Sequence, residues 1–412
     1  MKQLRWMGLA VCLMWGLCAC AFGGQVEKTT GSDKPEASET AEVTATATPL
    51  ISEDDAFSEA EDMVKKMTLE QKIGQMFIVD LLQLDEKPSL DGNAYKATTD
   101  MKEAIQKYNV GGVYLTKKNI NSIKQTRKLT SELQGCVASG SALYVAVEED
   151  GGGANSISSK VEELKETGFV TPQEMGQNMT SQQLYESGKT IAGELTDLGV
   201  NLNLAPVADL GSEQNPEYSV RCLGTEAESV SILLKDFVSG MRDSGLGVTL
   251  RHFPGIGNVS GDTTEEILEN TDSLMTLRDN NFVPYTSGIE AGADCVMVSN
   301  VAFSRVTVKK NPAFMSEDIV TKLLREELKF EGIIMTSPMN DNVIRKNYTY
   351  EFAAVEAVKA GCDMIVLPGN FKECYDALVT AVKEGRIDEK VINTSVRRIL
   401  QNKIQRGILV LE

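Results

Sequence analysis

A single histidine, His252, occurs among 412 residues, and it lies in the run RHFPGIGNVSGDTTEE at the end of an apolar stretch. Histidine titrates near neutrality and serves as acid, base or metal ligand, so its neighbours decide what it does. Other polar groups stand at comparable places, each just past an apolar run. VEEDGGG delivers Glu148, Glu149 and Asp150 beside glycines that let backbone approach a ligand, and LAPVADL delivers Asp209. NPEYSVRCLG supplies Arg221, RHFPGIG supplies Arg251 with His252, the loop beyond adds Asp262, and MTSPMND presents Ser337. Carboxylate acceptors alternating with guanidinium donors suit a polyhydroxylated ligand such as a sugar. Taken singly, an Asp or Arg in a loop is a turn former or a surface ion pair; recurrence at successive strand ends is what points to a site. One histidine with scattered cysteines does not make the ligand set of a zinc site, and no cofactor motif is legible, so neither metal nor cofactor is expected.

These groups converge only if the apolar runs are parallel strands. Candidate strands are 73–79, 112–116, 142–148, 200–210, 247–253, 295–300, 332–337 and 362–368, mostly continuous rather than alternating, as in a sheet covered on both faces. Helical signals lie between and around them. Thr68 with Gln71 forms a capping box, and Ser316 before Glu317 and Asp318 caps a segment whose Ile319, Val320, Leu323 and Leu324 form a stripe. Asp388 leads a last helix with Val391, Ile392, Ile399 and Leu400 facing inward. Eight strands alternating with helices predict an α/β fold, a single-domain (β/α)8 TIM-like barrel over residues 57–412, whose chemistry belongs at the carboxyl ends of its strands. A doubly wound open sheet is the other option, but no GxGxxG follows the first strand.

Residues 1–20 read as a secretory signal, too short for an ordinary membrane span. Small residues before Cys20 have the form of a lipobox, which implies lipidation of Cys20 and an exported protein held to the outer face of the cytoplasmic membrane by lipid alone. Residues 21–56, rich in Thr, Ser, Ala, Glu and Pro, cannot bury enough surface to fold and read as a disordered tether. A formal charge of −18 argues against nucleic acid as a partner. Cys136, Cys222, Cys295, Cys362 and Cys374 follow the signal, spaced neither as a disulfide scaffold nor as CxxC. They read as buried small apolar residues, with room for one bridge in an exported protein.

GVNLNLAPVADL, the RCLG segment after NP, RHFPGIG, and AGCDMIVLP followed by INTSVRRIL resemble, in the same order, the catalytic barrel of glycoside hydrolase family 3. The likeness is to its one-domain bacterial β-N-acetylhexosaminidases, which process peptidoglycan fragments, and it runs from KMTLEQKIGQMF to the end. What the resemblance implies is taken residue by residue. Asp209 and Arg221 match the family's positions. Where the family reads K-H-F-P-G-H-G this chain has Arg251 through Gly257, and the Lys and first His of that motif hold substrate hydroxyls. Asp150, Asp209, Arg221, Arg251, His252 and Asp262 are thus the implied substrate-binding set.

The reactive positions depart from the family. Its nucleophile, the first Asp of a T-D-D-L or S-D-D-L turn, aligns with Ser337, and the acid/base His of D-S-H aligns with Thr264. An Arg after E-G-G is Gly153 here, and the usual D-x-E reads Glu148-Glu149-Asp150. Retaining hydrolysis needs a carboxylate nucleophile and a proton donor, and acid/base help alone is worth roughly 10²–10⁴ in rate. No catalytic residue is therefore expected, and the chain reads as a non-catalytic surface protein that binds cell-wall glycan, a GlcNAc-containing fragment or a protein partner. An active glycosidase is the alternative, with Asp341, four residues past Ser337, as displaced nucleophile and Glu148, Glu149 or Asp150 as proton donor. A displacement of about one helical turn, ~5 Å, weighs against it. A third arrangement joins Ser337, His252 and Asp209 or Asp262 as a triad, without the G-x-S-x-G elbow.

Overall fold

The computed structural model describes residues 51–152, 157, 159–161 and 170–411. Cys20, the signal, the tether up to residue 50 and Gly153 lie outside the described residues. The chain divides into Met1–Ala47 and Thr48–Glu412, and only the second unit concerns us.

Ten strands are described: β1 Phe77–Asp80, β2 Gly112–Tyr114, β3 Tyr144–Val147, β4 Leu202–Asn203, β5 Gly247–Phe253, β6 Glu269–Asn270, β7 Cys295–Val298, β8 Ala302–Phe303, β9 Ile333–Thr336 and β10 Ile365–Val366. Eight form one parallel sheet in the order β10-β1-β2-β3-β4-β5-β7-β9, and β6 pairs with β8 apart from it. The sheet closes on itself. Met335 bridges Met364, Thr336 N–H donates to the Met364 carbonyl at 3.0 Å, and Val366 N–H donates to Thr336 Oγ1 at 3.1 Å. Helices separate the strands, and the result is the single-domain (β/α)8 barrel that the apolar runs predicted. Val145, Ala146, Val296, Val298, Ile333 and Ile334 are wholly buried, as strands covered on both faces require.

Several local readings shift for physical reasons. The Thr68/Gln71 capping box forms, but the helix it starts runs Leu69–Gln75, so Ile73 and Gln75 close a helix and the strand begins only at Phe77. The fourth strand pairs regularly over two residues because Pro206, within the run, has no N–H to give. Ser316 closes its turn through its carbonyl, which accepts from Ile319 and Val320, and the following segment Asp318–Glu327 winds with π-type turns. Its stripe is buried as expected. Val391, by contrast, is 38% exposed and does not face inward, whereas Ile392, Ile399 and Leu400 do. A helix over Glu53–Lys66, capped by Ser52, begins inside the stretch assigned to the tether and buries Ala56. All five described cysteines are free and buried. No helix among the described residues is long and apolar enough to cross a membrane.

The last helix, Glu389–Gln405, ties the amino ends of three strands together. Lys403 is fully buried, and its Nζ donates to Gln75 Oε1, the Gly111 carbonyl and the Ala142 carbonyl, each at 2.8 Å. These acceptors precede β1, β2 and β3. Lys403→Met would leave three buried acceptors short of a donor, and each such loss costs about 1–3 kcal/mol. Urea denaturation should show the variant less stable by at least about 2 kcal/mol; an unchanged midpoint would mean that the contact does not hold the barrel.

Candidate functional site

The carboxyl ends of the strands open on a cavity of about 750 Å³ whose lining includes Glu148, Arg221, Arg251, His252, Ser337 and Asp341. Its floor is a closed set of four charges. Glu148 and Asp150, two apart beyond β3, meet Arg251 from the end of β5 and Arg221 from the loop after β4. Asp150 Oδ1 takes Arg251 Nη2 at 2.5 Å, and its Oδ2 takes Arg221 Nε at 3.1 Å and Nη2 at 2.8 Å. Glu148 Oε1 takes Arg221 Nη2 at 2.8 Å, and Oε2 lies 2.8 Å from Arg251 Nη1. Tyr114 Oη adds a longer bond to Glu148 at 3.4 Å.

Burial of these charges would be costly without such mutual pairing. Burial works to raise the Glu148 carboxyl, but the Arg251 and Arg221 charges outweigh it and bring it down to about 2. Both guanidiniums resist desolvation through the same two carboxylates and stay charged. Arg251, 1% exposed, keeps one polar atom, Nε, without a partner among the described residues.

The second group is built on Asp209, which is buried at the end of the β4 segment. Its Oδ2 accepts from Tyr218 Oη, from His252 Nδ1 at 3.1 Å and from His252 N–H at 3.1 Å; its Oδ1 accepts from Ile256 N–H at 3.2 Å and Tyr285 Oη at 3.1 Å. Such a partner set assigns the proton of a neutral His252 to Nδ1, which leaves Nε2 as an acceptor. Burial lowers the His252 pKa despite Asp209, so the ring is neutral at pH 7. Asp209 stays ionised: burial raises its carboxyl, and the hydrogen bonds it accepts from His252 and Tyr218 more than offset that. Close packing of the β4 and β5 loops depends on Gly257, where a Cβ would stand 1.7 Å from the Leu210 carbonyl oxygen.

The structure separates the remaining sequence-predicted residues. Asp262 lines the cavity but belongs to its own loop, where Oδ1 takes Thr264 N–H at 2.9 Å and Thr264 Oγ1 at 2.6 Å. Those bonds hold its carboxyl below the usual range. Ser337 is 2% exposed and donates through Oγ to the Val298 carbonyl at 3.0 Å. His252 is bonded to Asp209 and Tyr218, not to Ser337, so no Ser-His-Asp triad is assembled. Glu149 is turned into its loop, its carboxylate accepting from Gly151 and Ile157 N–H, and is not among the cavity-lining residues.

Asp341 does reach the cavity, at the start of the short helix Asn342–Asn347, without bonding that helix through its side chain. Burial first, then the charges of Glu148, Asp262 and Glu265, push its carboxyl up to about 7. The charge states are thus opposite to those of a nucleophilic Asp341 and a proton-donating Glu148. Sequence reasoning missed Tyr114, Tyr218 and Tyr285. Tyr114 and Tyr218 were within reach, one ending β2 and the other three residues before Arg221. Tyr285 comes from the helix Phe282–Glu290, where no strand-end signal exists.

Residues 68–402 match the glycosyl hydrolase family 3 N-terminal domain. A β-hexosaminidase of Xylella fastidiosa is 30% identical over 275 residues, covering 66% of this chain and 78% of that protein. Among solved structures, a family 3 β-N-acetylglucosaminidase from Paenibacillus superposes with a TM-score of 0.75 at 31% identity, over 84% of this chain and 64% of that one. A β-N-acetylhexosaminidase from Beutenbergia cavernae gives 0.69 at 26% identity, over 82% and 98%. The chain spans 61% of the length of another relative, β-hexosaminidase A of Pseudoalteromonas piscicida. With a closed parallel barrel and a polar cavity at its carboxyl end, the chain belongs to glycoside hydrolase family 3 and is homologous to bacterial β-hexosaminidases.

Proposed function

We propose that this protein is a non-catalytic family 3 barrel that binds a GlcNAc-containing cell-wall glycan, exported and held to the outer face of the cytoplasmic membrane through lipid on Cys20. The observation that carries the reading is the contrast within one cavity. Its recognition groups form a mutually paired, charged frame, while Ser337 and Thr264, at the aligned reactive positions, have hydroxyls committed to Val298 and Asp262. Neither hydroxyl can offer the negative charge that an oxocarbenium-like transition state requires. The position of Ile51 fits a tether. It lies beside Gly245, Gly292 and Gly332, which lead into β5, β7 and β9, at the end of the barrel opposite the cavity.

Muropeptides or N,N′-diacetylchitobiose should raise the melting temperature, since a ligand at about 100 times its Kd adds roughly 2.7 kcal/mol of stability. Arg221→Ala should abolish that rise. Absence of a glycan effect, together with capture of one specific surface protein, would replace the glycan with a protein partner. Cys20→Ser should move the protein from the membrane fraction to the soluble one, and retention in the membrane would refute the anchor.

A second reading, an active β-glycosidase, is favoured by one observation: Asp341, its carboxyl pushed up to about 7, keeps a protonated fraction in neutral solution and is suited to proton donation. Glu148 would then be its ionised counterpart, although two guanidiniums occupy it. Chromogenic β-GlcNAc, β-glucosyl and β-xylosyl substrates should not turn over above background, whereas Ser337→Asp combined with Thr264→His should gain turnover. Wild-type hydrolysis that disappears in Asp341→Asn would establish the second reading instead.

A further inference from the structure

We propose that Asp341 contacts the ligand directly, donating a hydrogen bond as the neutral acid to an acceptor oxygen of the bound sugar, so that the pocket holds its ligand in neutral solution and releases it in alkali. This rests on the glycan-binding reading above.

The geometry begins with a cap that does not form. Asp at the position before a helix ordinarily accepts from the N–H groups of the first turn. Here Val343 N–H donates instead to the Thr264 carbonyl at 2.7 Å, and Ile344 N–H turns back to the carbonyl of Asp341 itself at 3.1 Å. The loop after β5 has taken the donor, and the side chain of Asp341 is released to the cavity without a hydrogen-bond partner among the described residues. Its neighbours in the lining are already engaged. Glu148 is held by two arginines, Thr264 by Asp262, Ser337 by Val298, and Asn300 Nδ2 by the Thr263 carbonyl at 2.9 Å.

The negative charges facing Asp341 come from two elements. Glu148 lies beyond β3, and Asp262 and Glu265 lie on the loop after β5; all three are held below the usual carboxylate range and are ionised. Nearby cations are occupied elsewhere: Arg221 and Arg251 with Glu148 and Asp150, Lys346 with Glu265 at 2.6 Å, and Arg345 with Asn342 at 2.9 Å. His252 is neutral. A carboxyl confined with three negative charges and no cation of its own holds its proton to higher pH than a free one, and burial and repulsion together bring its titration to about 7. As an acid it has one O–H to give, and a sugar hydroxyl, ring or acetamido oxygen is a suitable acceptor.

The sign follows from linkage. If the ligand binds only the protonated form, binding above pH 7 must take up a proton, and affinity falls by up to about tenfold per pH unit; below that range it is flat. Calorimetric titration with N,N′-diacetylchitobiose and with a disaccharide muropeptide, between pH 6 and 8.5, reads this directly. Wild type should weaken by about ten- to thirtyfold across the upper half of the range. Asp341→Asn, which keeps a donor and cannot titrate, should bind within about threefold of the wild-type acid limit and show no slope. Asp341→Ala should bind weakly throughout. Glycan binding that is independent of pH in wild type, or a slope that persists in Asp341→Asn, would remove the Asp341 assignment and leave the glycan reading standing. Absence of binding at every pH would remove both.

Discussion

Everything at the mouth of this barrel is arranged around four charges that complete one another, Asp150 and Arg251 buried and Glu148 and Arg221 half-buried. Glu148 and Asp150 come from β3, Arg251 from β5, and Arg221 from the loop after β4, so a single ion-pair set fixes the relative positions of three strand ends. Removing Asp150 or Arg251, the two buried members, would leave the other as an incompletely paired buried charge, which in comparable settings costs about 3–5 kcal/mol. The departures from the family's pattern are therefore coupled. Where the family has D-x-E with Lys, this chain has Glu148-x-Asp150 with Arg251. One carboxylate is longer by a methylene, the other shorter, and the cation between them has two forks instead of one point of charge. Arg251 bonds both carboxylates, so the three residues pack as one unit.

The Asp209 group depends on this frame. His252 follows Arg251 directly, so fixing the guanidinium beneath the cavity places the imidazole above Asp209 and Tyr218. Its neutrality follows as well, because burial next to two permanent cations disfavours a third positive charge. A neutral ring with its proton on the Asp209 side is a fixed acceptor. Such an acceptor is suited to orient a ligand hydroxyl without moving a proton, in keeping with the proposed recognition role.

Which residues reach the mouth was legible because continuous apolar runs report buried parallel strands, and the carboxyl ends follow from chain direction. The runs ending at Phe253 and Thr336 place Arg251, His252 and Ser337 almost without further information. What each side chain does there was not legible, because it depends on contacts between loops distant in sequence. Ser337 is tied to the Val298 carbonyl, and Asp262 spends its acceptors on Thr264. Asp341 is free only because Thr264 has captured the donor of Val343. No spacing rule contains that contact. Boundaries failed where two signals competed, as at Ile73, which suits a strand by composition but belongs to the turn that the Thr68 capping box had already started.

Ser337 and Asp341 are linked through charge. A carboxylate at position 337 could not occupy the place of this hydroxyl, since it would set a negative oxygen against the Val298 carbonyl, whereas the serine gives that carbonyl a proton. Ser337 suits its strand and adds no negative charge to a cavity that already contains Glu148, Asp262 and Asp341. Any further anion there would push Asp341 upward and keep it protonated through the whole physiological range. With a neutral residue at 337, Asp341 instead titrates at about 7, where modest changes in its surroundings decide its charge. A neutral residue at 337 thus acts beyond its own position: it leaves Asp341 poised between its two forms.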